Sequence, residues 1–171
     1  MKPKILKYPH PDLRKKARTV DNKDGVYTST IQTLIEILEA EDGLGLAATQ
    51  VDGYACRIIV IKTRLMGGVC PVVMLNPEII EVNGNQHPSR EGCLSFPDIF
   101  GTVPRYQSLK VKYENEKGKI VTKEAFGEFA EAIQHEIDHL DGILFIDKMN
   151  KKDLKKNKAA LRRLEKKHKK N

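Results

Sequence analysis

At 171 residues, with 40% hydrophobic content, the chain is long enough for one domain with a real core and too short to expect two. No run approaches the roughly eighteen apolar residues of a membrane span, and Met1-Lys2-Pro3-Lys4-Ile5 has charge but no apolar signal core, so no membrane association and a cytoplasmic location are expected. Three cysteines imply no disulfide framework, and the formal charge of +7 is concentrated at one end.

Ile31, Leu34, Ile35 and Leu38 recur at helical spacing, which predicts a helix from Ser29 or Thr30 to the glycines after Asp42. The next segment, Gly43 to Gln50, has two closely spaced glycines but neither G-x-G-x-x-G nor G-K-[ST], which argues against phosphate binding. Small residues at Gly45, Ala47 and Ala48 let it pack closely against something else. Gln50 has an amide that can donate to a developing oxyanion, or it is simply exposed in a turn. Strands are predicted at 57–62, 72–75, 79–82 and 109–113, with turns at Asn83-Gly84-Asn85 and Glu116-Lys117-Gly118. Cys56 and Cys70 flank these runs and are assigned inert roles. Phe129, Ala132, Ile133, Ile137 and Leu140 predict a second helix that stops at Gly142. Strands in short succession between two helices favour α+β, with antiparallel sheets packed around the second helix. Residues 151–171 hold eleven Lys or Arg against two acidic residues, and Leu154, Leu161 and Leu164 give that charged helix a narrow apolar stripe.

The second helix carries Gln134-His135-Glu136-Ile137-Asp138-His139, an H-E-x-x-H motif. Residues four apart lie on one helical face, so His135 and His139 can grip one metal ion while Glu136 stands beside it to move protons. As packing residues alone, the two histidines would leave Glu136 an unpaired buried charge, at a cost on the order of several kcal/mol. Catalytic zinc-type centres use three protein ligands and keep a fourth position for water. The extended pattern H-E-x-x-H-x-x-G-x-x-H holds through Gly142 but gives Phe145 where the third His would stand. Asp141 is too close in sequence to reach the same face, and Asp153, Glu165 and His168 belong to the lysine-rich tail. The third ligand is therefore expected upstream. Cys93, beside Gly92, is the best candidate, since a thiolate binds first-row metals strongly.

Three segments, Gly43-Leu44-Gly45-Leu46-Ala47-Ala48-Thr49-Gln50, Glu91-Gly92-Cys93-Leu94-Ser95 and Gln134 through Gly142, together resemble peptide deformylase in order and separation. The resemblance covers roughly residues 1–150. It implies a catalytic domain over 1–150 and a basic C-terminal helix or tail over 151–171. It implies one divalent metal on Cys93, His135 and His139, with Fe2+ as the cellular metal and Zn2+, Ni2+ or Co2+ also compatible with the ligands. The implied reaction removes the formyl group from formyl-methionine of newly made polypeptides: metal-bound hydroxide attacks the formyl carbonyl and Glu136 serves as general base, then acid. Gln50 and the Leu94 backbone N–H would stabilise the oxyanion, and Gly45 and Leu94 would position the peptide. Asp138 or Glu91 is expected to hold a ligand imidazole, or else Glu91 pairs with Arg105. A metallopeptidase cutting internal bonds and a non-catalytic RNA-binding protein remain as alternatives. The tail is read either as a docking element for the ribosome or as a solvated basic end.

Overall fold

The computed structural model describes residues 3–63 and 70–169. The inert role expected of Cys70 concerns a side chain outside the described set, as do Lys170 and Asn171 of the tail. Helix α1 spans Thr28–Ala40, with Ile31, Leu34 and Leu38 buried, as their spacing predicts. The H-E-x-x-H helix is α2, Gly127–Leu140, followed by the short α3, Phe145–Lys148, and by α4, Lys151–His168. Gly142 ends α2 with φ +73°, and a Cβ there would collide with the backbone carbonyl of Arg14.

Five strands form one antiparallel sheet in chain order: β1 (Gly45–Ala47), β2 (Ile58–Thr63), β3 (Cys70–Cys93), β4 (Phe96–Glu114) and β5 (Ile120–Phe126). The apolar run in β2 is explained by burial on both faces. Ile58 and Val60 join the cluster around α1, whereas Ile59 and Ile61 join the cluster under α2. Helix α2 touches all five strands.

Two expectations about the strands are corrected. Residues 72–75 and 79–82 are parts of the single long strand β3, and Asn83-Gly84-Asn85 is no turn between strands. The ladder to β4 slips between Asn83 and Gln86 and then continues, with Gly84 at φ +76°. A neighbour running alongside for the whole length keeps the backbone paired, so the extra residues become a bulge. The segment containing Gly45 is itself a short edge strand. The turn at 116–118 is present, with Asn115 Oδ1 accepting from the N–H groups of Lys117 and Lys119.

A third cluster, built from Leu13, Phe96, Ile99, Val103, Phe145 and Met149, receives Ala160, Leu161 and Leu164 of α4. Leu154, expected in that stripe, stays 38% exposed. Asn150 caps α4 by accepting from the Asp153 N–H, while Asp153 accepts from Thr102 N–H and Asn157 donates to the Phe100 carbonyl. Helix α4 is thus fastened to the start of β4.

Candidate metal centre

Helix periodicity places His135, Glu136 and His139 on α2, all buried. Cys93 is the last residue of β3 and Phe96 the first of β4, so Leu94 and Ser95 form the turn that delivers the thiol. Cys93 Sγ lies 3.2 Å from His139 Nε2. One ligand atom from each of Cys93, His135 and His139 lies within 4.8 Å of the others. One sulfur and two imidazole nitrogens so converged suit a divalent first-row ion. Two buried atoms at the site, Glu136 Oε2 and His139 Nδ1, have no hydrogen-bond partner among the described residues. The donor set fits a bound divalent metal, and the unpartnered Glu136 Oε2 beside it fits the metal's water.

The surroundings fix each group. Gln50 Oε1 accepts from the Ala47 N–H at 2.9 Å, which turns the NH₂ toward Ser95 Oγ at 3.1 Å and Cys93 Sγ at 3.4 Å. Gln50 is therefore buried and aimed at the site, not exposed in a turn. Glu136 stands against β1: a Cβ on Gly45 would lie 2.5 Å from Glu136 Oε1, so only glycine leaves the carboxylate its place. The Leu94 side chain covers Gly43, and its carbonyl accepts from Lys7. Gly43, Gly45, Gln50, Cys93, Leu94 and Glu136 line a cavity of about 480 Å³ open to solvent.

Glu91 does both things expected of it. Its Oε2 bonds His135 Nδ1 at 2.8 Å, and the carboxylate receives Arg105 at 2.6 and 3.0 Å. Asp138 holds no imidazole; it receives Arg105 at 2.6 Å and Lys148 at 2.7 Å. Arg105 is 1% exposed and lies between two carboxylates. Burial alone would raise the Glu91 pKa, but His135 and Arg105 outweigh it and hold the group at about 2. Burial also works against charge on His135, yet Cys93 and Glu91 carry it well above the usual value. His139 goes the other way, lowered by burial and by the neighbouring His135 charge. Burial raises Glu136 to about 7, tempered by His135, a value suited to both taking and giving a proton near neutrality.

Several contributors carried no signal strong enough to be singled out in sequence. Ser95 accepts from Gln50, and Thr49 Oγ1 donates to the His139 carbonyl at 3.1 Å. Glu131, four residues before His135, receives His87 and Ser89. Only the i, i+4 spacing to His135 could have marked it.

A family model described as "Polypeptide deformylase" matches residues 2–155. The chain is 42% identical over 147 residues to a peptide deformylase of Thermotoga sp. (strain RQ2), covering 86% of this chain and 87% of that one. To "Peptide deformylase 1" of Clostridium acetobutylicum it is 45% identical over 145 residues, covering 85% and 93%. Its fold superposes on a peptide deformylase from Plasmodium falciparum with a TM-score of 0.91 at 34% identity, covering 98% of each chain. A plant peptide deformylase matches with the same score and identity, over 98% of this chain and 91% of the other.

Proposed function

The chain belongs to the peptide deformylase family and is a metal-dependent hydrolase acting on newly made polypeptides; on that premise we propose that it releases formate from N-terminal formyl-methionine by the route below. Cys93, His135 and His139 hold one divalent ion, Fe2+ in the cell, and their atoms suit Zn2+, Ni2+ or Co2+ as well. Such an ion supplies Lewis acidity and lowers the pKa of water from about 15.7 toward 7.

The protein's own groups do the rest. Glu136 takes the proton of the attacking water on its unpaired Oε2 and passes it to the departing amine nitrogen. The Gln50 NH₂, oriented by the Ala47 N–H, and the Leu94 backbone N–H donate to the carbonyl oxygen as negative charge develops there. Losing one such donor commonly costs about 10²–10³ in rate. Gly45 lies in β1 at the edge of the sheet, where an extended peptide can lie alongside it and against Leu94. Residues 1–150 carry this chemistry.

Helix α4 serves as an address. Arg162, Arg163, Lys166 and Lys167 are exposed, whereas Glu165 accepts from Tyr8 and Asp153 from Thr102. Turning acidic groups inward and basic groups outward favours a phosphate-rich partner, which we take to be the ribosome. No helix among the described residues is long and apolar enough to cross a membrane, and the proposed setting is the cytoplasm.

The observation that carries the proposal is the convergence of Cys93, His135 and His139 beside Glu136. Protein purified without oxygen should contain about one metal per chain and release formate from formyl-Met-Ala-Ser. Cleavage of internal bonds in the acetyl-blocked peptide, without formate release, would favour a metallopeptidase instead.

A further inference from the structure

The two donors assigned to the carbonyl oxygen, the Gln50 NH₂ and the Leu94 N–H, sit on separate segments of chain, and residues 6–8 tie those segments together. The Leu6 N–H donates to the Gln50 carbonyl at 2.7 Å and the Tyr8 N–H to the Ser95 carbonyl at 2.9 Å. Between them, Lys7 Nζ donates to the Leu94 carbonyl at 2.7 Å. The Gln50 NH₂ reaches Ser95 Oγ at 3.1 Å and closes a ring of hydrogen bonds across 45 residues of sequence. Two residues of chain span at most about 7 Å, so residues 6–8 limit how far the Gln50 and Ser95 carbonyls can separate.

Packing holds the flanking residues of this stretch. Leu6 is buried, and the Tyr8 ring stacks on Phe96, the residue that follows the turn, with centroids 4.9 Å apart. Lys7 differs: it is exposed and lines the cavity, so packing does not account for where its side chain lies. Cys93 pairs with Phe96 across the turn, which fixes both ends and leaves the Leu94–Ser95 peptide as the part free to rotate. Leu94 has two soft backbone torsions, and turning its N–H away from the site requires rotation about them. The same rotation swings the Leu94 carbonyl off Lys7.

We propose that Lys7 is a positioning residue for the reaction: by holding the Leu94 carbonyl, while Leu6 and Tyr8 hold those of Gln50 and Ser95, it keeps the Leu94 N–H aimed at the formyl oxygen. It acts through the Leu94 backbone rather than on the reacting atoms. This rests on the deformylase reading of the site. Removing the Lys7 donor therefore slows the chemical step and leaves peptide and metal binding as they were.

The test compares the metal-loaded full chain with three variants. Lys7→Met keeps the apolar stem and removes the donor, Lys7→Arg restores a donor, and Lys16→Met removes an exposed charge outside the cavity lining. On formyl-Met-Ala-Ser, Lys7→Met should lose about tenfold in kcat with KM unchanged within about twofold, a part of the roughly 10²–10³ carried by a whole donor. Lys7→Arg should recover most of that loss, and Lys16→Met should match the unaltered protein. All should hold about one metal per chain. Thioformyl-Met-Ala-Ser supplies a readout that general loosening of the fold would not reproduce: sulfur is a weak acceptor, so Lys7→Met should cost this peptide about twofold or less. A kcat for Lys7→Met within about twofold of the unaltered protein on the formyl peptide overturns the proposal. So does a rise in KM alone, which would make Lys7 a contact of the peptide. Equal losses on the formyl and thioformyl peptides, or an equal loss in Lys16→Met, overturn it as well. Failure of the unaltered protein to release formate from formyl-Met-Ala-Ser would instead refute the reaction itself.

Discussion

Replacing Arg105 by methionine removes the cation between Glu91 and Asp138 while keeping much of the side-chain volume. The Arg105 side chain is 2% exposed, and those of its partners Glu91 and Asp138 are 8% and 11% exposed, so water cannot take over its role. Breaking a buried ion pair from one side typically costs about 3–5 kcal/mol, because the remaining charge stays buried. For a chain of this length each kcal/mol moves the melting temperature by roughly 2–4 °C, which predicts a fall of about 6–20 °C. Asp138 retains Lys148, but Glu91 keeps only His135, so the larger disturbance falls on the imidazole that Glu91 orients. Loss of an outer partner of this kind typically weakens metal affinity about 10–100-fold. Thermal unfolding and a chelator competition titration on the same preparation measure both effects. A single variant melting within about 2 °C of the unaltered protein, with its metal retained, would refute the argument that Arg105 braces this site.

Cys93→Ala should lose both metal and formate release, because a three-ligand site cannot spare one; stoichiometric metal by elemental analysis would show that the third ligand is another group. Glu136→Gln should keep its metal yet lose about 10² or more in kcat, since it moves protons without binding the ion; metal loss would instead mark it as a ligand. Changing Arg162, Arg163, Lys166 and Lys167 to Glu should leave peptide turnover intact and weaken salt-sensitive co-sedimentation with ribosomes, an address role falsified if binding is unaltered. Asp147, whose acid group burial raises but Arg14 and the Leu144 N–H lower further, has a folded pKa below the ordinary 3.8. The stability it contributes is present above 3.8 and is lost as pH falls through the folded value. Asp147→Asn should therefore flatten the decline of melting temperature between about pH 5 and 3, and an unchanged slope would count against this linkage.

Helical features were legible because they are local. The i, i+4 spacing of His135 and His139, the apolar stripes of α1 and α2, and the stop at Gly142 are written within one or two turns of chain. The α+β class, the candidate metal donors and the concentration of basic charge after residue 150 could likewise be read without coordinates. What depended on strand pairing could not. Asn83-Gly84-Asn85 has the composition of a turn, and only the unbroken partner β4 makes it a bulge. The approach of Cys93 to His139, 46 residues apart, requires β3, β4 and α2 to pack in one register. Tertiary structure also decided that Glu91 serves His135 and Arg105 together, that Asp138 serves Arg105 and Lys148, and that Glu131 joins the cavity through Ser89 and His87. Each of these pairs joins segments at least 10 residues apart, where no periodicity couples one side chain to the other. Their meeting is set by the register of a sheet against a helix, and that register is a property of the packed core as a whole.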